Sequence, residues 1–297
     1  MFSALHETMT VTVGICAYNE SGNIERAVRS VFTQDLTVDK VIVVSSGSTD
    51  GTDEIVSELT KEFSNLTLIP QKERNGKNSA INLLLDNAGC DIIVLLNADN
   101  VFEDSGTLRR LLEPFSDETV GIAGGRPVPT NSTKNTAGFA SVLLWNMHHH
   151  ISLIRPKIGE LIAFRDIGTR LPTDMQSDED ILKMELEKKG FVSVYVPSAV
   201  VLNHGPETVS DFMKQRTRVN IGEMHMRRNF DYEVPTWDKK LIFNALLDAV
   251  RDMGLHPIKM FSAIAMEGLA RISAKRHVSS GGIDRNVWEQ VGSTKRL

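Results

Sequence analysis

The stretch DIIVLLNADN, residues 91–100, begins as an uninterrupted apolar run and turns polar at its end. A short run of branched apolar residues is typical of a strand that is buried on both faces of a parallel sheet. Asn97 and Asp99 follow with one small residue between them, which places both side chains on one side of an extended chain. Their oxygens suit a hard divalent cation, although a turn or a helix cap uses the same residue types.

Outward from this stretch, the N-terminal half of the chain repeats the alternation of an apolar strand and an amphipathic helix. We predict strands at residues 9–18, 40–46, 66–70 and 91–100, and helices at residues 24–34, 53–63 and 75–89. This alternation predicts an α/β fold with a mostly parallel, Rossmann-like sheet that helices flank on both faces. Ligands of such sheets bind at the carboxyl ends of the strands, where polar residues follow the first, second and fourth strands.

The C-terminal half has a less regular pattern. We predict a short strand at 121–129, two short strands within 191–204 that Pro197 separates, helices at 139–154, 177–190 and about 212–226, and a helical tail at about 239–276. We therefore expect an α/β domain at residues 8–232 and a C-terminal helical extension at residues 233–297. The extension mixes apolar residues with Lys and Arg. This composition suits a helix on an anionic membrane surface, and it equally suits core packing or a homodimer interface.

The overall composition is that of an ordinary globular protein, with 297 residues and a formal net charge of -5. This charge is too mild to indicate nucleic-acid binding. No run reaches the length of about 18 apolar residues that spans a bilayer, and the first ten residues lack the pattern of a secretory signal. Cys16 and Cys90 form no metal or redox motif. We expect a cytoplasmic protein, and peripheral contact with the inner face of the membrane is a second hypothesis that rests on the tail.

Six motifs occur along the chain in the order found in family 2 glycosyltransferases of the GT-A fold: TVGICAYNE, VIVVSSGSTDGT, NGKNSAIN, LLNADN, SDEDILKMELEKKG and QRTRVNIG. The chain therefore resembles that family. The resemblance implies a nucleotide diphosphate sugar as donor and a divalent cation, Mn2+ or Mg2+, as cofactor. In LLNADN, Asn97 replaces the first aspartate of the family's Asp-x-Asp motif, so Asp99 is the expected carboxylate ligand. His204, which follows a late strand, is the second expected ligand.

The resemblance also implies which residues bind the nucleotide sugar. They are Ala17, Tyr18, Glu20, Ser46, Asp50, Lys77, Asn97, Ala98, Gln215 and Arg218. Asp50 also suits a helix cap and Lys77 also suits a solvated surface position. Ser45 and Ser46 stand where the family usually has two aspartates, one of which reads uracil, so the identity of the base stays open. Val219 stands where polymer-making relatives have a tryptophan, and this favours transfer of a single sugar over processive synthesis.

Sugar transfer needs a base that takes the proton of the acceptor hydroxyl. The segment SDEDILKMELEKKG offers three carboxylates, Asp178, Glu179 and Asp180. Counting back from Gly190 without gaps aligns Glu179 with the catalytic aspartate of the family, whereas a shift of one residue selects Asp180. Acidic residues in the first turn also simply stabilise a helix, because they face its positive end.

We therefore expect a metal-dependent glycosyltransferase that moves one sugar to a glycan or to a lipid-linked acceptor. The resemblance implies inversion at the anomeric carbon. One alternative is a sugar nucleotidyltransferase, which should carry a glycine-rich, basic phosphate loop after its first strand. Another is a non-catalytic module that binds sugar nucleotides or glycans. His148, His149 and His150 are not expected to hold a metal, because adjacent helical residues point in different directions.

Overall fold

The computed structural model describes residues 9–175, 177–280 and 294, and its centre is one sheet of eight strands. The strands are β1 (Val11–Ala17), β2 (Lys40–Ser46), β3 (Leu66–Gln71), β4 (Ile92–Asn97), β5 (Val101–Phe102), β6 (Val120–Pro129), β7 (Leu161–Arg165) and β8 (Val192–Asn203). Their order across the sheet is β3-β2-β1-β4-β7-β6-β8-β5. Neighbours are parallel from β3 to β4 and between β6 and β8, whereas β7 and β5 are antiparallel to their neighbours. The expected mostly parallel α/β sheet is confirmed.

Helices cover both faces of this sheet. They are α1 (Ile24–Phe32), α2 (Thr52–Glu62), α3 (Lys77–Ala88), α4 (Thr107–Leu112), α5 (Thr136–Ile154), α6 (Asp178–Lys188), α7 (Val209–Phe230), α8 (Lys239–Met253) and α9 (Pro257–Ser279). Alternate residues of the strands point to opposite faces, so the sheet divides the core into two apolar clusters. Helices α1, α2 and α4 contribute to one cluster, and helices α3 and α6 contribute to the other. None of the helices in the described part of the chain combines the length and the apolar character that crossing a bilayer requires.

Helix α3 approaches the sheet closely because β1 carries a glycine beneath it. A Cβ atom built on Gly14 would lie 2.0 Å from Cδ1 of Leu84, a fully buried residue of α3. Any larger residue at position 14 would therefore push α3 away from the sheet. This close packing fixes the N-terminal end of α3, which begins at Lys77, against the carboxyl ends of the strands.

The structure adds detail to the predicted helical tail and corrects one strand prediction. The tail consists of two helices, because the chain turns at Gly254, which has a φ of 78°, and α9 begins at Pro257. The two short strands expected around Pro197 are one strand, β8, which pairs with β6 on both sides of that proline through an irregular register. A bulge of this kind accommodates a residue that has no backbone N–H to donate.

The C-terminal helices pack onto the rest of the chain through an apolar cluster and a buried ionic network. Helix α8 contacts α5, and α9 contacts both α5 and α7. Glu267 on α9 accepts hydrogen bonds from Arg216 on α7 at 2.7 Å and from Arg271 at 3.0 Å, and Asn220 donates a further one at 3.2 Å. Burial opposes the ionisation of Glu267, but the two arginines outweigh it and lower the pKa of this carboxyl to about 2.

Removing the negative charge of Glu267 should lower the stability of the protein, by an amount that depends on pH. The folded-state pKa of Glu267 lies below the unfolded value of about 4.3, so its stabilising effect is complete above that pH and is lost as the pH falls towards about 2. We expect Glu267→Gln to lower the free energy of unfolding at pH 7 by about 3 kcal/mol, because two arginines lose a buried partner. Urea denaturation from pH 8 to pH 2 measures the difference in unfolding free energy between the wild type and this variant. The difference should shrink below about pH 4.3.

The matched control is Glu118→Gln, which removes the same charge from an exposed loop. It should leave the stability within about 0.5 kcal/mol of wild type at every pH. An equal loss of unfolding free energy in Glu267→Gln and Glu118→Gln would contradict the assignment of Glu267 as the residue that joins α9 to α7.

Candidate active site

A cavity of about 780 Å3 opens at the carboxyl ends of the central strands. This cavity is lined by most of the residues that the sequence predicted for the site. They are Ala17, Tyr18, Glu20, Ser46, Lys77, Asn97, Ala98, Asp99, Asp178, Glu179, Asp180, Gln215 and Arg218. Asp50 and His204 are not among the described residues that line it. The cavity thus gathers side chains that lie up to 200 residues apart in the sequence.

The strand register explains why three separate loops meet here. Cys16 of β1 is paired with Asn97 of β4, and Ala17 is paired with Ser45 of β2. The three parallel strands therefore end at the same level, and the polar residues that follow them share one edge of the sheet. Ser46 is 5% exposed, and its hydroxyl has no hydrogen-bond partner among the described residues, which leaves it free for a ligand.

Helix α3 holds the chain that leads into α6. The side chain of Asn78 donates hydrogen bonds to the carbonyl oxygens of Pro172 and Met175, at 2.7 and 3.0 Å. Asn82 exchanges two hydrogen bonds with the backbone of Leu171, both at 2.8 Å. These four bonds fix residues 171–175 against α3, and they bring the acidic start of α6 over the sheet edge.

Lys77 forms ion pairs with two of the three candidate bases. Its ammonium lies 2.7 Å from Oδ2 of Asp178 and 3.3 Å from Oε1 of Glu179. Burial, and then the charge of Glu179, raise the pKa of Asp178 to about 7, although Lys77 acts in the opposite direction. Burial also opposes the ionisation of Glu179, but here the lysine prevails and the pKa is lowered. Glu179 is therefore the more readily ionised member of the pair.

Asp180, the third candidate, has a different partner. Both of its oxygens lie near the ammonium of Lys157, the shorter distance being 2.9 Å, and Lys157 also lies 3.6 Å from Glu223. All three side chains are largely buried. Asp180 is thus part of an ion-pair network with Lys157 and Glu223, and all three residues line the cavity.

A carboxylate that the sequence analysis did not identify lies beside Asp99. Oε2 of Glu160 accepts hydrogen bonds from the amides of Asn97 at 2.7 Å and of Asn100 at 2.9 Å. Burial, and then the charge of Glu160, raise the pKa of Asp99 to about 6, while Lys77 and Arg218 lower it. Asp99 and Glu160 therefore form an acidic centre that a cation would stabilise. The available signal was an acidic residue directly before the apolar run LIAFR, which was not assigned as a strand.

Basic side chains surround this acidic centre. Arg218 of α7 lines the cavity and forms no ion pair with any residue that the structure describes. Burial lowers its pKa, and the carboxylates of Glu160 and Asp99 oppose that effect. Arg74, which the sequence analysis did not identify either, lies over the ring of Tyr18 with its guanidinium carbon 3.8 Å from the ring centroid. An anionic ligand such as a diphosphate would meet Arg218 as a free forked donor.

His204 and Asp50 are engaged in local hydrogen bonds. The two ring nitrogens of His204 contact Thr130 at 2.9 Å and Glu207 at 3.1 Å. Asp50 accepts hydrogen bonds from the backbone N–H groups of Ser21 and Thr52. It does not cap α2, whose N-cap position is Gly51. Within the described ranges no three His, Cys, Asp or Glu residues form a ready metal cluster. The metal-ligand role of His204 and the nucleotide-binding role of Asp50 stay predictions.

The three consecutive histidines have three different surroundings. His148 lines the cavity and lies edge-on to Trp145, His149 contacts the hydroxyl of Tyr195 at 2.9 Å, and His150 contacts Asp252 at 2.8 Å. The divergence follows from helix geometry, as expected for adjacent residues of α5. Burial lowers the pKa of His148 to about 3, so its ring is neutral at physiological pH.

Four helices, α5, α7, α8 and α9, give the cavity a large aliphatic and aromatic surface: Leu143, Leu144, Met147, Ile151, Phe212, Ile242, Leu246, Ala263 and Ile264 line it. The same helices also contribute the charged residues Arg216, Glu223, Glu267 and Arg271 to the lining. Ile264 is half-exposed on the surface of α9 as well. The helical lining of the cavity is therefore apolar in part and charged in part.

Comparison with known proteins gives matches in sequence and in structure. The family model described as Glycosyl transferase family 2 matches residues 12–171. Poly-beta-1,6-N-acetyl-D-glucosamine synthase of Staphylococcus aureus is 24% identical over 220 residues, which are 70% of this chain and 53% of the relative. The chain thus spans about half the length of the curated relatives that it matches.

Two solved structures share the fold. The mannosyltransferase PcManGT from Pyrobaculum calidifontis, in complex with GDP-Man and Mn2+, has a TM-score of 0.65 at 24% identity, covering 91% of this chain and 86% of that one. Glucosyl-3-phosphoglycerate synthase from Mycobacterium tuberculosis, in complex with Mn2+, UDP and glucosyl-3-phosphoglycerate, has a TM-score of 0.52 at 17% identity, covering 76% and 82%. These likenesses confirm the expected GT-A fold.

The different partners of Asp178 and Asp180 predict different effects on stability. We expect Asp180→Asn to lower the free energy of unfolding by about 3 kcal/mol, because it leaves Lys157 with only the more distant Glu223. Asp178→Asn should change it by less than about 1 kcal/mol, since it removes a charge that the fold disfavours while Glu179 stays beside Lys77. Urea denaturation at pH 7 without ligands measures both. A larger loss of unfolding free energy in Asp178→Asn than in Asp180→Asn would show that Asp178, and not Asp180, is the carboxylate that stabilises the fold.

Proposed function

Because the chain belongs to glycosyl transferase family 2, we propose that it transfers a sugar from a nucleoside diphosphate sugar to the hydroxyl group of an acceptor. The observation that carries this proposal is the convergence of groups on one cavity. Asp99 lies at a strand end, an acidic pair opens α6, and Arg218 makes no ion pair with a described residue. Each of these groups suits one part of the transfer reaction.

The charged end of the cavity suits the diphosphate of the donor. Arg218 presents a forked donor to the phosphate oxygens, and Lys77, although it is paired with Asp178 and Glu179, adds a second positive charge. Asp99 suits a divalent cation, since its carboxylate is buried beside a second negative charge. When bound there, Mn2+ or Mg2+ would neutralise the charge that accumulates on the departing diphosphate. Tyr18, directly after β1, and Ser46, at the end of β2, line the same edge and are the residues proposed to meet the nucleoside.

Glu179 is the proposed base. It takes the proton of the acceptor hydroxyl while the hydroxyl oxygen forms a bond to the anomeric carbon, and the bond from that carbon to the diphosphate oxygen breaks. The nucleoside diphosphate leaves with the electron pair, so a single displacement inverts the anomeric carbon. Glu179 suits this role because Lys77 keeps it ionised and because it is the more exposed member of the pair.

A single sugar is transferred in each encounter. Val219 lines the cavity one residue after Arg218, and a small aliphatic side chain offers no aromatic face on which a growing sugar chain could stack. The curated relatives are named as polymer synthases, but the chain covers about half of their length. We therefore propose a product extended by one unit, which mass spectrometry of the reaction mixture would reveal.

The acceptor carries an apolar chain. Four helices contribute aliphatic side chains to the lining of the cavity, and a glycan alone would leave this surface without a partner. Gln215 also lines the cavity and can orient a polar head group. A lipid-linked acceptor would place its reactive hydroxyl near Glu179 and its chain between the helices.

The outer face of α9 suits contact with a lipid surface. Large apolar residues recur along it at helical spacing and are exposed, namely Ile258, Phe261, Ile264, Leu269 and Ile272. Lys275 and Arg276 follow on the same helix and are exposed as well. A helix of this kind binds an anionic membrane surface through buried apolar area and charge attraction. Because Ile264 also lines the cavity, an acceptor could enter from the membrane directly.

Two variants test the transfer reaction. Release of nucleoside diphosphate from GDP-mannose, UDP-N-acetylglucosamine and UDP-glucose should require Mn2+ for at least one donor. We expect Asp99→Ala to lower this turnover by at least about 100-fold, because the charge on the leaving group is no longer neutralised. Glu179→Gln should lower turnover by about 100- to 10,000-fold while the affinity for the nucleotide, measured by calorimetry, stays within a few-fold of wild type.

Glu118→Gln, a surface change far from the cavity, should retain full turnover. Binding of a nucleotide sugar without turnover by the wild type would instead favour a non-catalytic binding module. Equal turnover with and without a divalent cation would exclude the proposed role of Asp99.

Flotation with liposomes tests the surface of α9. The wild-type protein should float with vesicles of phosphatidylglycerol and phosphatidylcholine at low salt. The double variant Ile258→Glu/Phe261→Glu should stay in the bottom fraction, because it places two charges on side chains that are 82% and 74% exposed. Val192→Glu, at a 50% exposed position at the start of β8, is the matched control and should float like the wild type. Flotation of the double variant would contradict the assignment of this face.

A further inference from the structure

The turn at residues 97–100, which carries Asp99, has an unusual composition for a cation site. The first position of the strand-end motif is the neutral Asn97, so the turn itself offers one carboxylate, Asp99. A single carboxylate holds Mn2+ or Mg2+ weakly, because hard cations bind through several oxygen ligands and through charge. The missing charge should therefore come from elsewhere in the chain.

Glu160 is fastened to this same turn. The turn closes with a hydrogen bond from the backbone N–H of Asn100 to the carbonyl oxygen of Asn97, at 3.0 Å. The side chains of both asparagines then donate to one oxygen of Glu160, Oε2. The carboxylate is thus held on the turn that carries Asp99, and the other oxygen, Oε1, accepts no hydrogen bond from a residue that the structure describes.

The backbone conformation of Glu160 indicates that contacts with neighbouring residues hold it in place. Glu160 has a φ of 64°, in the left-handed region that non-glycine residues seldom occupy. Such a conformation costs about 1 kcal/mol or more and persists where the neighbouring contacts determine it. Here it directs an acidic side chain towards the cavity, where Glu160 is one of the lining residues.

We propose that Glu160 supplies the second carboxylate of the cation site and so replaces the charge that is absent at Asn97. The proposal rests on the proposed function, because it assigns a residue to the cation of that reaction. Asn97 and Glu160 form a matched pair in which the amide donates and the carboxylate accepts. An aspartate at position 97 beside Glu160 would instead set two carboxylates in contact, which is unfavourable without a cation.

Glu160→Gln separates this role from a purely structural one. Glutamine has nearly the same shape, and its side-chain oxygen can still accept hydrogen bonds from Asn97 and Asn100. A residue that only shaped the turn would therefore tolerate the change. We expect the affinity for Mn2+ in the presence of GDP or UDP to fall by about 10- to 100-fold. Electron paramagnetic resonance of free Mn2+ and isothermal titration calorimetry measure this affinity without any turnover.

The exchange variant Asn97→Asp/Glu160→Gln provides the decisive comparison. It moves the negative charge to position 97 and keeps the hydrogen bond with its direction reversed, because the glutamine amide then donates to the aspartate. We expect its Mn2+ affinity to return to within a few-fold of wild type. Circular dichroism confirms that each variant is folded, and Glu118→Gln controls for the loss of one negative charge elsewhere.

The outcomes separate this proposal from the proposed function. Mn2+ affinity in Glu160→Gln within twofold of wild type would overturn the role of Glu160 and leave metal-dependent transfer intact. If the exchange variant does not recover the Mn2+ affinity that Glu160→Gln loses, the proposal that Glu160 replaces the charge absent at Asn97 is overturned. Absence of Mn2+ binding by the wild type with either nucleotide would overturn both proposals together.

Discussion

The Lys77 ammonium holds the acidic start of α6 against the carboxyl edge of the sheet, and the geometry of the cavity depends on it. When both are ionised, Asp178 and Glu179 repel each other, and the ammonium of Lys77 beside both of them offsets this repulsion. The position of Lys77 is in turn fixed by α3, which lies close to the sheet because Gly14 leaves room for Leu84. A packing requirement in the core thus determines where two carboxylates stand in the active site.

The strand ends could be predicted because their pattern is local. The residues KVIVVSS form β2 with the predicted bounds, and the apolar run before Asn97 forms β4. Strand β7 could not be predicted in the same way, because five residues in an antiparallel position between β4 and β6 acquire their structure from partners that are distant in sequence. Glu160 directly precedes β7, so missing the strand meant missing the carboxylate beside Asp99.

The roles of the acidic residues in α6 also depend on distant partners. Asp178, Glu179 and Asp180 are all carboxylates, and counting from Gly190 selects Glu179 only if no residue is shifted. Lys77, 102 residues before Glu179, pairs with the first two, while Lys157 pairs with the third. Asp50 combines a local and a distant partner. Its hydrogen bond from Thr52 belongs to a local turn of the kind that short motifs describe, whereas its hydrogen bond from Ser21 spans 29 residues.

Helices on both sides of the division that the sequence predicts near residue 232 line one cavity. Helix α7, before the division, contributes Phe212 and Arg218 to the lining, and α8 and α9, after it, contribute Ile242 and Ile264. Glu267 of α9 contacts α7 through Arg216, which lies two residues before Arg218. Because this ion pair joins the two helices directly, a displacement of α9 would be transmitted to the helix that carries Arg218. The ion pair between Arg216 and Glu267 thus couples the C-terminal helices to the cavity at the strand ends.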